Sequence, residues 1–191
     1  MPNRIKVTKD DILNESLKII RKEGIEALNA RKIASKLGCS TQPIYYHFPT
    51  IVQLKECVKK EIRKIYSQYI LESKKAEKLH FKAVGISYIT FAIKEPSYFK
   101  ILFMNSDNNK FEINAKVDDN YEYVLSTIRE EYEIDEESAK SLYENIWVTT
   151  HGLAVMIATG FSRPTSEEIN KILTNSFQGL LYLVKKGELR W

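Results

Sequence analysis

Apolar residues recur along this chain at three- and four-residue intervals, the spacing of one helical face. Ile12, Leu13, Ser16, Leu17, Ile19 and Ile20 make the first such face, over residues 8–23. Thr8 is placed to cap that helix, and Asp10 and Asp11 suit the positive end of its dipole. Gly24 is expected to stop it in a left-handed conformation. Asn29 is the next cap, before a short helix over 30–37 that buries Ile33, Ala34 and Leu37 and ends at Gly38. Ser40 is expected to start a third short helix, through T-Q-P-I-Y-Y-H-F, with Pro43 in its first turn. Thr50 caps a longer one running to about residue 72.

The same period continues downstream. It predicts helices over 79–94, 96–104, 114–132, 136–160 and from Thr165 or Ser166 to about 186, with a loop at 105–109. Alternating strand patterns, low-complexity linkers and internal repeats are absent from the sequence. The fold class is therefore all-α. The expected division is a three-helix domain over 1–52 and a helical domain over 53–191, with the fourth helix shared between them.

Composition changes this picture little. The 191 residues are 43% hydrophobic and 28% charged, with 7 Gly and 5 Pro, as in ordinary globular proteins rich in helix. No apolar run reaches the ~18 residues of a membrane span, and the first residues lack a signal peptide's apolar core. A cytoplasmic protein with no membrane partner is expected. Cys39 and Cys57 are read as buried and inert, with a redox-sensing thiol as the alternative. His47, His80 and His151 have no metal-ligand spacing, so neither a metal nor a cofactor is expected. Glu144 and His151 lie two helical turns apart, but no nucleophile, metal cluster or phosphate loop accompanies them, and an enzyme is not expected.

Charge adds more. Residues 1–67 carry 14 Lys and Arg against 7 Asp and Glu, a net +7, whereas residues 68–191 carry 15 against 18, a net −3. A basic head on a mildly acidic body points to a polyanion as the head's partner, or to solubility alone.

Residues 30–48 meet the demands of a helix-turn-helix: two short helices, a glycine turn and small or polar residues leading the second helix. Ala34 permits close approach, Gly38 the turn, and Ile44 locks the second helix to the first. Ser40, Thr41, Gln42 and Pro43 lead that helix, followed by Tyr45, Tyr46 and His47. Gln pairs with an adenine edge and Thr with a thymine methyl or a phosphate. Tyr and His side chains, with Arg31, Lys32 and Lys55, suit phosphates. Tyr45, Tyr46 and His47 have a plainer reading as seals of the short helix, and Lys59 and Lys60 as a solvated face.

The run from Asp11 to Leu54 resembles the DNA-binding domain of the TetR family. The resemblance rests on an ordered set: Gly24, Asn29, Ile33-Ala34, Leu37-Gly38, Cys39, Ser40 and Tyr45-Tyr46-His47-Phe48. It implies backbone phosphate contacts for Tyr45 and His47, base edges for Thr41, Gln42 and Pro43, and a core position for Phe48. The chain departs from the family at Gln42, where a small residue is common, and at Ile51, where Lys is common.

Downstream, the likeness is carried by P-S-Y-F-K-I-L-F and by W-V-T-T-H-G-L-A-V-M-I-A-T-G at 147–160. It implies a homodimer built on the last two long helices, with Gly152, Met156, Phe177, Leu180, Leu181 and Val184 as interface candidates; filling the chain's own core is the other use of these residues. The body's dense aromatics could line an apolar pocket or form core. Tyr88, Phe91, Phe103, Tyr121, Trp147 and His151 are the pocket candidates, for an apolar or aromatic effector, with a cationic one admitted. The implied function is a TetR-like regulator, a repressor released from a palindromic double-stranded operator by a small molecule. The alternative is control by a protein partner without such an effector.

Overall fold

Thr8 starts the first helix by a reciprocal exchange. Its hydroxyl accepts from the Asp11 amide at 3.1 Å, and the Asp11 carboxylate accepts from the Thr8 amide at 2.9 Å. The Thr8 hydroxyl also donates to that carboxylate at 2.6 Å, and this bond first, with the one from the Thr8 amide, holds the Asp11 carboxyl below its ordinary range. The computed structural model describes residues 7–73, 80–104 and 121–189, and every regular element among them is helical. In chain order these are α1 (Lys9–Glu23), α2 (Ala30–Leu37), α3 (Gln42–His47), α4 (Ile51–Ser73), α5 (His80–Lys94), α6 (Pro96–Phe103), α7 (Tyr121–Tyr132), α8 (Glu136–Ala158) and α9 (Ser166–Lys185).

The described residues fall into two compact units, one within Met1–Ser67 and Glu95–Asn105, the other within Gln68–Lys94 and Ser106–Trp191. The first is larger than the head expected at 1–52, because most of α4 and all of α6 join it. Ile12, Ile20, Ile33 and Leu54 are fully buried in it, with Ile44 and Phe48 nearly so. On α4, Leu54, Val58, Ile62 and Tyr66 recur every fourth residue, and all are buried. Each such side chain contributes about 1.5–3 kcal/mol relative to exposure.

Helix α6 is fastened to α1. The Tyr98 hydroxyl donates to the Leu17 carbonyl at 2.9 Å, and the Arg21 guanidinium grips both oxygens of Glu95 at 2.8 and 2.9 Å. Arg21 also lies over the Tyr98 ring. Burial pushes the Tyr98 phenol above its usual pKa, so it stays a donor.

In the second unit α8 is the central packing element, meeting α5, α7 and α9; α5 also packs on α7 and α9. Its core includes Ile89, Phe91, Ile128, Leu142 and Ala154. Asp135 caps α8 through the Ser138 amide, and Thr165 with Glu168 forms a capping box on α9.

Three local expectations change. Gly24 has φ +83° and ψ 169°, a positive-φ extended conformation rather than a left-handed helical one. It turns the chain into a short 3-10 segment, Ile25–Ala27, that the sequence pattern did not suggest. Ser40 lies in the turn, and α3 begins two residues later, at Gln42. The helix expected from 114 is described from Tyr121 onward; the loop at 105–109 lies outside the described residues. Cys39 and Cys57 are both free thiols and half-buried rather than fully buried.

Candidate nucleic-acid interface

The bihelical unit is built by three local devices. The Asn29 side chain accepts from the Lys32 amide at 2.9 Å and starts α2. Gly38 ends it at φ +64°, ψ 33°. The Cys39 amide bonds back to the Ala34 carbonyl at 3.0 Å and the Gly38 amide to Ser35 at 3.4 Å, the paired pattern of a left-handed helix stop. Helix α3 then starts without a side-chain cap. Pro43 occupies its second position, where the missing N–H has no helical partner to lose.

These devices sort the side chains of α3. Ile44 points inward and is 1% exposed, and Phe48, just past the helix, is 3% exposed. Gln42, Tyr45 and Tyr46 lie outside, the last two at 51% and 81% exposure. Tyr46 meets the His47 ring edge-on, with centroids 5.1 Å apart, and is otherwise turned to solvent. Ser40 is exposed, and Thr41 and Pro43 are half-buried. Gln42 and Tyr45 are three positions apart and share a helix face.

The basic residues divide. Arg31 is exposed at the start of α2, and Lys55 is half-buried on α4. The Lys32 ammonium is engaged with the Glu23 carboxylate, which this contact holds below its ordinary pKa range. His47 also has an internal partner. Its Nε2 lies 3.1 Å from the Val7 carbonyl, which only accepts, so Nε2 is the protonated nitrogen. In the neutral ring Nδ1 is then an acceptor, and the imidazole ties the end of α3 to the residue before the α1 cap. The sequence pattern carries no sign of this bond, because Val7 is forty residues away.

The pocket candidates do not gather into one unit. Phe103 belongs to the first, edge-on to Tyr66 with ring centroids 5.1 Å apart. The other five belong to the second. Three of these form a cluster: the Tyr88 hydroxyl is 2.9 Å from His151 Nδ1, and Trp147 stacks on the His151 ring at 4.7 Å. Burial lowers the His151 pKa from its ordinary value. Phe91 meets Tyr69, and Tyr121 meets Tyr143. The second unit does hold a cavity, of about 260 Å³, but its walls come from other residues, Leu173 and Phe177 among them.

Of the dimer candidates, Gly152 and Met156 are exposed on α8 and Leu180 is half-buried on α9. Phe177 packs against the Tyr132 ring at 4.9 Å, Phe177 and Leu181 line the cavity, and Val184 is buried within the chain's own fold. No helix among the described residues is long and apolar enough to cross a membrane, and no group of three or more potential metal ligands occurs among them.

A helix-turn-helix displayed on a basic head, followed by a helical body, defines a DNA-binding regulator. Residues 12–56 match the family model described as bacterial regulatory proteins, tetR family. Over that segment the chain is similar to that family. Its fold is similar to that of a TetR family protein from Vibrio parahaemolyticus, at TM-score 0.58 and 19% identity over 89% of this chain and 96% of that one. It is also similar to a protein of unknown function from Rhodococcus sp. RHA1, at TM-score 0.66 and 16% identity over 95% and 96%. No curated protein matches the sequence.

Proposed function

We propose that this chain is a TetR-type transcriptional regulator, a cytoplasmic homodimeric repressor whose two heads enter successive major grooves of a palindromic operator, and that a small apolar molecule in the second unit releases it. The observation that carries the DNA part is the sorting of α3, with Ile44 and Phe48 inward and Gln42, Tyr45 and Tyr46 outward. Gln42 reads a base edge, while the Tyr45 hydroxyl and Arg31 bind phosphates. His47 contributes by fixing the end of α3 through Val7.

Dimerisation is supported by the outer faces of α8 and α9. Val148, Gly152 and Met156 follow one another every fourth residue and are exposed, and Ile172, Gly179 and Tyr182 are exposed on α9. A Cβ built on either glycine meets nothing within 4 Å, so a second helix has room to approach. Two-fold symmetry then sets the heads about 34–36 Å apart, or a multiple of that, to meet one side of the duplex.

Release needs a ligand that binds better when that spacing is wrong. Helix α4 gives the change a covalent route, because Ile51–Ser73 is one helix and the units divide within it, after Ser67.

The test is binding-site selection followed by fluorescence anisotropy with the wild type, Tyr45→Ala and Gln42→Ala. The selected site is expected to be a palindrome holding two chains. Tyr45→Ala is expected to weaken binding at least about tenfold on every sequence and to flatten the salt dependence. Gln42→Ala is expected to relax preference at one base pair per half-site. A non-palindromic site, or a Tyr45→Ala protein with undiminished affinity, rejects this reading.

A further inference from the structure

The cavity in the second unit joins an apolar wall to a lysine ammonium. Ile146 of α8 and Leu173, Phe177 and Leu181 of α9 supply carbon surface. Lys82 of α5 reaches the same space. Its ammonium donates to the Thr174 hydroxyl oxygen at 2.9 Å, and that hydroxyl donates its own proton to the Asn170 carbonyl at 2.7 Å. Thr174 is thereby oriented as an acceptor and takes one of the three ammonium protons. No carboxylate among the described residues pairs with Lys82.

Lys82 is half-buried, and among the described residues its ammonium faces carbon surface with Thr174 as its hydrogen-bond partner and no carboxylate beside it. An anion brought to it gains a charge-assisted hydrogen bond in a site of reduced dielectric. A cation meets repulsion there, and a neutral molecule leaves the charge unanswered. One ammonium balances the charge of a monoanion, while Tyr132 and Gln178 in the same lining are neutral polar groups.

Size narrows the choice. At ~30 Å³ per water-sized group, about 260 Å³ admits a molecule of about nine heavy atoms. Gly85 lies in the wall, midway along α5, and a Cβ there would come only to 3.8 Å from Leu173. The missing side chain is therefore part of the recess, and a larger residue would occupy it.

We propose that this cavity, lined by α5, α7, α8 and α9, is the effector site and that its ligand is a small apolar carboxylate, with the carboxylate on Lys82 and the carbon body against Leu173, Phe177 and Leu181. The inference rests on the reading that a small molecule acts through the second unit, and it specifies the ligand as an anion.

Isothermal titration of the full-length protein with octanoate, octan-1-ol and octylammonium tests it. Octanoate is expected to bind about tenfold or more tighter than the other two, the low end for a hydrogen bond to a charged group. Lys82→Met is expected to bring octanoate down to the level of octan-1-ol, and Lys82→Arg to restore most of the preference. Gly85→Leu is expected to abolish binding of both by filling the recess.

Equal affinity for the three probes in the wild type overturns the proposal without reference to any variant. So does full octanoate affinity in Lys82→Met or in Gly85→Leu. Anisotropy with operator DNA in the same samples separates the two readings. Octanoate that binds through Lys82 but leaves DNA held supports the cavity and removes the release mechanism. A protein that holds its DNA and shows no carboxylate preference removes the cavity assignment alone.

Discussion

Both units bury aromatic residues, and among the described residues each leaves two in solvent, Tyr45 and Tyr46 on the short helix α3 of the first, Phe161 just after α8 and Tyr182 on α9 in the second. At the reading end of the first, Tyr45 and Tyr46 lie in solvent while Ile33, Ile44 and Leu54 fill the interior. In the second, Tyr88, Phe91, Tyr121 and Tyr143 are buried, and the exposed apolar residues of α8 and α9 are mostly aliphatic. Burial of aromatic surface is favourable by default, so aromatics left outside need a reason. At α3 the reason we propose is a partner of different chemistry, a duplex with phosphates and base edges. In the second unit the departure from good packing is internal, the cavity beside Lys82. On these proposals one unit meets its partner from outside and the other is entered.

The sharpest way to break this comparison is to exchange an inward and an outward residue of α3. Ile44→Ala is expected to lower stability by about 2–5 kcal/mol, because its side chain is 1% exposed and the cavity left behind has nothing to fill it. Tyr46→Ala, at 81% exposure, is expected to stay within about 0.5 kcal/mol of the wild type. Urea unfolding of both variants measures this. Similar losses in the two would mean that Tyr46 is buried in the working protein, and the surface role proposed for it would fall.

Much of the first unit was legible because its signals are local. Asn29, Gly38 and Thr50 each act within three or four residues of themselves, and the structure uses each as the pattern predicts. The start of α3 was misplaced because Ser40 is a good cap by type, while the turn after Gly38 needs two more residues before helical geometry resumes. The His47–Val7 bond was out of reach, as were the Arg21–Glu95 and Tyr98–Leu17 links that bring α6 into the first unit. These join positions forty to eighty residues apart, and no period along the chain encodes them. The cavity was missed for a related reason. Aromatic density points to Tyr88, Trp147 and His151, which pack on one another, whereas the recess lies between a glycine on α5 and Leu173, Phe177 and Leu181 of α9. Absent side chains leave no mark in a count of present ones.

A smaller effect sharpens the role of turns in the first unit. Gly38 sits at φ +64°, where a Cβ is strained whatever space surrounds it. Gly38→Ala is expected to cost about 1–2 kcal/mol, with DNA affinity falling as the approach of α3 to α2 changes. Gly152 is helical and nothing lies within 4 Å of its Cβ position, so backbone strain gives Gly152→Ala no such penalty. Thermal unfolding of the pair decides the point. An unchanged midpoint for Gly38→Ala would show that the turn can be remade without a left-handed residue.

The smallest expected effect belongs to the second unit and depends on pH. Burial disfavours the His151 imidazolium, so its folded pKa lies below the unfolded value of 6.5. Between those two values the unfolded chain binds a proton that the folded chain does not, and stability therefore falls as pH falls. The stabilisation is complete above pH 6.5 and is lost progressively as the pH drops through the folded pKa. The carboxylates of Asp11, Asp135 and Glu168, lowered by their capping bonds, respond only in more acid solution. Comparing urea midpoints at pH 8 and pH 5 for the wild type and His151→Gln isolates the imidazole, since Gln keeps an acceptor for the Tyr88 hydroxyl without titrating. The wild type is expected to lose more stability over that interval than the variant. Equal losses would mean that water reaches His151 freely, and Trp147 stacked upon it would then be lining an open space rather than closing a packed one.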